Sequence, residues 1–465
     1  MFRRSLFLIA LLVMVVSCSH TPKKTVIGAG SEQFHLKKYD EVKLDNGLTI
    51  LFVEDSTLPR VGFSLMIKSG SAMDPVGQEG LMSLSMKLLE SGTSTRDAMK
   101  LADDFAQLGS SLEIGTGDDS SQIGAATLTQ YREELLQLMT DLVMNPAFSQ
   151  KELDRKKLQT IAELQKLVDN PTSYADLLMD QQIYGDHPYA RFSLGTVNSV
   201  RNISRTKIIR NYFEKIRPNN AILAVFGQID SDFKTAVKQA FGKWQKGTQE
   251  LKEIAKPTEL GPKDLQLFSR PGLQQAQIRF GELGIQRNDP DFLRLRLANL
   301  ILGGGFVSRL NSRVRDDLGL TYSISSQFDA KKELGTFEIS TFTRNDKVGE
   351  TVKNTEEIFK QFVTQGITDS ELASAKAVLT GQFPMAIETT DRLAYNLMVL
   401  RLYGVSDSYL KNFFNDVNSI TVEQVNEAIH KHLSVENLKA VVYADQSKVG
   451  SQLKALGPVQ IQKAQ

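Results

Sequence analysis

The order of elements after Tyr39 is written twice, and a chain built that way has few folds open to it. In the first half a strand from Val61 to Lys68 leads into a loop carrying Asp74-Pro75 and then into helical patterning from Leu81 to Glu90. In the second half a strand from Gln275 to Gly281 leads into a loop carrying Asp289-Pro290 and a helix from Phe292 to Leu302. The two Asp-Pro dipeptides stand about half the folded length apart, so duplication of one α+β unit is the economical reading. At 465 residues the chain also exceeds what one hydrophobic core usually serves.

Local signals fill in the two units. Asn46-Gly47 between the β-rich runs Glu41-Val-Lys-Leu44 and Thr49-Ile-Leu-Phe-Val53 predicts a hairpin, because both residues tolerate positive φ. Helices are expected at Thr95 to Leu108, Tyr131 to Met144 and Gln150 to Leu167, the last ended by Asn170-Pro171. Strands are expected at Ser111 to Gly115, Gln122 to Leu128 and Asn220 to Phe226, with a helix from Ser231 to Trp244. The second half adds strands at Thr321 to Phe328 and Gly335 to Thr343, helices between Val348 and His432, and a last strand, Lys439 to Tyr443, mirroring Ala221 to Phe226. Pro257 and Pro262 break a Lys-, Glu- and Gly-rich stretch between the halves. The expected domains are therefore 39–245 and 265–465, joined by a linker over 246–264: an α+β fold of two homologous mixed-sheet-plus-helices domains.

The N-terminus follows different rules. Arg3 and Arg4 precede an apolar run from Leu6 to Val16, too short to span a bilayer comfortably, that stops at Ser17 and Cys18. Residues 1–17 read as a secretory signal and 18–38 as a polar tether. Val15-Val16-Ser17-Cys18 resembles a bacterial lipoprotein signal, which implies cleavage before Cys18 and lipidation of its thiol; the alternative is an ordinary signal with an incidental cysteine. Ser19 after the cysteine resembles the signal for outer-membrane sorting. The single cysteine excludes an intramolecular disulfide. A net charge of +1 with no basic field argues against nucleic acid as a partner.

The chemistry-bearing question lies in Gly80-Leu-Met-Ser-Leu-Ser-Met-Lys-Leu-Leu-Glu-Ser-Gly-Thr93. Preceded by Ser69-Gly-Ser-Ala-Met-Asp-Pro75, this segment resembles the active-site region of the pitrilysin-type zinc peptidases, the family that includes mitochondrial processing peptidase. The same family is matched by Leu44-Asp-Asn-Gly-Leu48, His187-Pro-Tyr189 with Gly195-Thr196, Arg217-Pro-Asn219 and Leu302-Gly-Gly-Gly-Phe-Val-Ser-Arg-Leu310. The resemblance covers nearly the whole chain after Tyr39 and implies a clam-like pair of domains.

Active members carry an inverted motif, H-x-x-E-H, in which two His bind zinc and the Glu serves as base toward water. The matching positions here are Ser83, Met86 and Lys87. Zinc needs imidazole, thiolate or carboxylate donors, and an ammonium would repel it. The third family ligand corresponds to Glu163; a single carboxylate does not retain catalytic zinc, so Glu163 reads as a relic free to pair with Lys87. Lys156 stands where the family often shows an acidic residue. Ser83 and Lys87 share a helix face but lie in an ordinary polar stripe with Glu90, without a nucleophile turn. His35, His187, His430 and His432 show no second ligand at zinc spacing and read as surface or packing residues.

The second half keeps what the first has lost. Arg315-Asp-Asp-Leu-Gly-Leu-Thr-Tyr322 preserves a family pairing whose Arg and Tyr face the catalytic chamber. A guanidinium can hold a peptide carbonyl or carboxylate, and a phenol can donate to a developing oxyanion. Without the resemblance, the same residues read as a helix-end ion pair with Asp316 or Asp317 and an aromatic strand start. The triple glycine lacks the Lys-Ser or Lys-Thr of a nucleotide loop and reads as a turn permitting close approach.

The resemblance thus implies a zinc-free, non-catalytic subunit of a heterodimeric metallopeptidase. Arg315 and Tyr322 would bind peptide substrate beside zinc carried by a partner chain, and the subunit would be anchored through Cys18 at the periplasmic face of the outer membrane. The rival expectation is a structural scaffold or peptide-binding protein of the cell envelope with no role in proteolysis.

Overall fold

The computed structural model describes residues 36–248, 251–258, 261–262 and 264–463. The expected signal segment, Cys18 and most of the tether lie outside them. Residues Lys37–Gln465 form one compact unit.

Two six-stranded sheets organise that unit. The first contains β1 (Tyr39–Lys43), β2 (Thr49–Glu54), β3 (Arg60–Ile67), β4 (Glu113–Thr116), β5 (Ser121–Leu128) and β6 (Ala221–Gly227), in the order β1-β2-β6-β3-β5-β4. The second contains β7 (Leu265–Ser269), β8 (Gln275–Leu283), β9 (Ile324–Asp329), β10 (Thr336–Arg344), β11 (Lys439–Ala444) and β12 (Gln460–Lys463), in the order β12-β7-β11-β8-β10-β9. Strand for strand the last five positions match: β2 is parallel to β6 as β7 is to β11, and the ladders from there to β4 and β9 are antiparallel in both. Only the outer edge differs. β1 closes the first sheet antiparallel, from the N-terminal side, whereas β12 closes the second parallel, from the C-terminal side.

The central strands β6, β8 and β11 are buried almost throughout, so both faces of each sheet must be covered. One face is covered by helices of the same half. The other is covered by the opposite half. The Pro171–Tyr184 helix of the first half packs on β8 and β11, and the Thr390–Leu402 helix of the second half packs on β6, β2 and β3. Tyr174, Leu178, Met179 and Ile183 accordingly share one apolar cluster with Phe268, Val441 and Tyr443. Gly281 lets the helix lie close on β8, because a Cβ there would come within 2.7 Å of the Ile183 Cδ1 and push that side chain aside.

Polar groups register this exchange. The Arg279 guanidinium, 2% exposed, donates to Asp176 Oδ1 at 2.6 Å and to the Thr172 and Thr341 carbonyls at 3.2 Å. Tyr189 donates to Asp119 Oδ1 at 2.5 Å, and Lys332 N donates to the other oxygen of that carboxylate at 2.8 Å. Lys331 pairs with Asp118 beneath the rings of Tyr184 and Tyr189; its carboxylate neighbours raise its pKa despite burial.

The motif residues outside the metal helix turn out to be joints. Asn46 in the hairpin turn donates to the Phe241 and Trp244 carbonyls, and Gly47, at φ 90°, lies against Asn219, so Leu44–Leu48 and Arg217–Asn219 meet. His187 donates through Nε2 to Ala255 O at 2.7 Å, fixing the connection between the halves, while its Nδ1 accepts from Tyr189 N. Arg309 grips Glu371 with two bonds of 2.7 and 2.8 Å. Gly303 lets the turn after the Phe292–Asn299 helix reach β9, where a Cβ would meet Ser326 N at 2.7 Å.

Candidate functional site

The Leu81–Lys87 helix is held at its start by a buried carboxylate. Asp74 accepts from Gly80 N at 2.9 Å and Met82 N at 3.0 Å, with Lys215 Nζ 4.0 Å away. Burial pushes the Asp74 carboxyl up to about 7, against the pull of the nearby ammonium and backbone donors. The start of the Val197–Asn202 helix locks the same end: Ser199 Oγ donates to Glu79 O at 2.7 Å, and Gly80 and Gly195, both at positive φ, lie back to back.

The four positions matching the zinc frame go to three different partners. Ser83 Oγ donates to Ser193 O at 2.6 Å. Met86 is fully buried in the first-half core. Lys87 Nζ reaches Glu163 Oε2 on the Gln150–Leu167 helix at 2.7 Å. Two turns earlier on that helix, Lys156 Nζ returns to Glu90 Oε2, in the turn just after the Leu81–Lys87 helix, also at 2.7 Å. Two ion pairs of opposite polarity thus bridge the helices. The residues do not fit zinc: the one carboxylate is neutralised by an ammonium, the hydroxyl is committed to a carbonyl, and a thioether in the core offers no hard donor. Ser83 and Lys87 also make no bond to each other, so no nucleophile pair forms.

Among the described residues one grouping could otherwise hold a metal: Asp289, Asp291 and His432. Its charge is already met. Asp291 Oδ2 takes Lys431 at 2.8 Å and His432 Nε2 at 3.0 Å, and Oδ1 takes Arg294 at 2.5 Å, bonds that help hold the Asp291 carboxyl down to about 2. The cluster fastens the Val422–His432 helix to the Phe292–Asn299 helix.

Arg315 and Tyr322 come together elsewhere. Both line a cleft of about 400 Å³ with Gln275, Asp316, Phe342 and Arg344, and none of Ser83, Met86, Lys87 or Glu163 lines it. Arg315 lies in the Asn311–Asp317 turn with its guanidinium 4.7 Å above the Phe306 ring. Its nearest carboxylate, Asp316, stands 3.9 Å away, beyond hydrogen-bond reach. Tyr322 is 86% exposed, and Phe306 and Val307 are 74% and 83% exposed. Arg344 was not singled out by any motif; only the pairing of β10 with β8, which sets it opposite Gln275, brings it to this cleft.

Two family models match consecutive stretches: the one described as "Insulinase (Peptidase family M16)" matches residues 49–197, and "Peptidase M16 inactive domain" matches residues 202–379. The chain belongs to the M16 family. A crystal structure described as the peptidase M16 inactive domain from Pseudomonas fluorescens superposes with a TM-score of 0.82 at 28% identity, covering 88% of this chain and 98% of that one. The Helicobacter pylori protein named "Non-peptidase homolog YmxG" is 26% identical over 407 residues, 86% of this chain and 92% of the relative. A Bacillus subtilis protein named "Uncharacterized zinc protease YmxG" is 24% identical over 386 residues, 82% of this chain and 92% of the relative. M16 relatives of this size thus carry both kinds of name.

Proposed function

We propose that this M16 chain is the zinc-free subunit of a two-chain peptidase and cannot hydrolyse peptides alone. In the complex, Arg315 orients the substrate backbone and Tyr322 donates to the carbonyl oxygen as negative charge develops, while an H-x-x-E-H partner supplies zinc and the activated water. Lipid on Cys18 would hold the pair at the periplasmic face of the outer membrane, where it would degrade or process peptides.

One contrast carries this reading. The metal frame is closed by Lys87–Glu163 and Glu90–Lys156, whereas Arg315 and Tyr322 are left open. Tyr322 is almost fully exposed and its hydroxyl has no partner among the described residues, an arrangement that suits contact with another molecule better than support of its own fold.

The relative named a non-peptidase homolog gives a second reading some weight: a rigid scaffold or peptide-binding protein of the envelope. Co-expression with an H-x-x-E-H chain separates the two. Peptide hydrolysis that requires both chains and falls at least about tenfold in Tyr322→Phe supports the peptidase. Assembly that survives loss of Arg315 and Tyr322 with no turnover to lose supports the scaffold, and zinc-dependent hydrolysis by this chain alone sinks both.

A further inference from the structure

The cleft beside Arg315 brings two guanidinium groups to one lining. It opens between the Asn311–Asp317 turn and the adjoining ends of β8 and β10, and its lining includes two guanidinium groups, Arg315 and Arg344, against one carboxylate, Asp316. Arg315 makes no hydrogen bond to that carboxylate, and its stacking on Phe306 fixes the group without consuming its donors. Arg344 donates through Nε and Nη2 to the two Asp346 oxygens at 3.2 Å each, but both side chains are about two-thirds exposed, so a peptide carboxylate has only a solvated surface pair to compete with.

The floor beneath these groups is firm. Leu320, Thr321 and Thr343 are buried, and Thr343 Oγ1 donates to Leu320 O at 2.6 Å. Gln275 and Arg344 are cross-strand partners, which fixes their spacing, and Tyr322 stands at the rim with its ring in solvent. Fork-shaped donors on a fixed floor, beside a primary amide and a phenol, suit a planar anion attached to a peptide backbone.

We propose that this cleft is a carboxylate subsite: Arg315 and Arg344 jointly hold a peptide's free C-terminus or acidic side chain, and Arg344 sets a preference for peptides that carry one. The inference rests on the reading of the chain as a peptide-handling subunit and adds the substrate class.

The test titrates the full chain into three labelled peptides of one apolar sequence: a peptide with Gln and a free C-terminal carboxylate, an amidated peptide with Glu in place of the Gln, and an amidated peptide that keeps the Gln. Fluorescence anisotropy at low salt should show the neutral amide binding about tenfold or more weaker than a carboxylate-bearing peptide. A tighter free acid assigns the chain terminus as the source; a tighter Glu peptide assigns the side chain. Arg344→Gln should erase the difference while leaving the unfolding midpoint unchanged, and Arg344→Lys should restore part of it. Equal binding of all three peptides, absence of binding, or discrimination that survives Arg344→Gln overturns the subsite. Partner-dependent hydrolysis that persists in those cases leaves the peptidase reading standing. Discrimination without such hydrolysis removes the peptidase reading and leaves the subsite.

Discussion

Lys87 Nζ lies 2.7 Å from Glu163 Oε2, so an ammonium bonds the carboxylate that would complete a metal frame in an M16 peptidase. The Glu90–Lys156 pair repeats the bridge with its charges reversed. Two helices that a divalent cation would hold together are instead joined by the chain's own charges.

If the frame has kept its geometry, restoring ligands should restore the ion. The triple variant Ser83→His, Met86→Glu, Lys87→His, with Glu163 intact, should bind zinc at about one equivalent, measured by competition with a chromophoric chelator, while the parent chain binds none. Without zinc the variant should be less stable by roughly 1–3 kcal/mol, since a carboxyl replaces the buried Met86, and zinc should return most of that loss. A variant that folds but takes up no zinc would show that the frame has drifted.

The bridging pairs are partly exposed, so each should contribute little. Lys87→Met should cost less than about 1 kcal/mol in urea unfolding. Lys87→Glu should cost more, because it sets two carboxylates face to face, and adding Glu163→Lys should recover the difference. A double-mutant cycle with no coupling would dismiss the pair as a fastener.

Asp74 gives a pH dependence with a definite sign. Burial raises its folded-state pKa to about 7 from an ordinary 3.8, so the folded chain holds this proton more tightly than the unfolded chain. The contribution is complete below the unfolded value and is lost as pH rises through about 7. Glu338, also raised to about 7 by burial, acts in the same direction. Thermal midpoints should fall from pH 4 to 7 more steeply in the parent than in Asp74→Asn; equal slopes would show that Asp74 is not the group responsible.

The exchanged helices predict one unfolding transition for both halves. Calorimetry should show a single peak, and a protease nick within 246–264 should leave the two pieces eluting together. Arg279→Met should lower stability by about 2–3 kcal/mol, toward the low end for a broken buried pair because Asp176 remains half exposed. Two separate transitions would mean that the halves support themselves.

The repeat and the Asn46-Gly47 hairpin were legible from element order and local turn chemistry, whereas the Lys87–Glu163 pairing, between residues on separate helices, was legible only through the family resemblance. Asn170-Pro171 was legible only in part. It stops one helix, but Asn170 also accepts from Ser173 N and Pro171 occupies the first turn of the next, so one dipeptide both ends and begins a helix. β7 escapes because its five residues, Leu265–Ser269, gain their strand character from β11, far along the chain. The helix expected through Leu302 keeps regular geometry only to Asn299, then widens into the Leu300–Gly304 turn as Gly303 closes on β9. Arg344 needed the β8–β10 register to be connected with Arg315 at all.

The order in which the chain leaves the ribosome gives the exchanged helices another meaning. The first sheet has all its strands once Gly227 has emerged, yet the helix that covers its second face, Thr390–Leu402, is made only after most of the second half. For that interval a newly made first half presents bare apolar strands to whatever surrounds it. Its maturation is therefore tied to completion of the polypeptide, and a truncated translation product would be a natural client for chaperones rather than a smaller working protein.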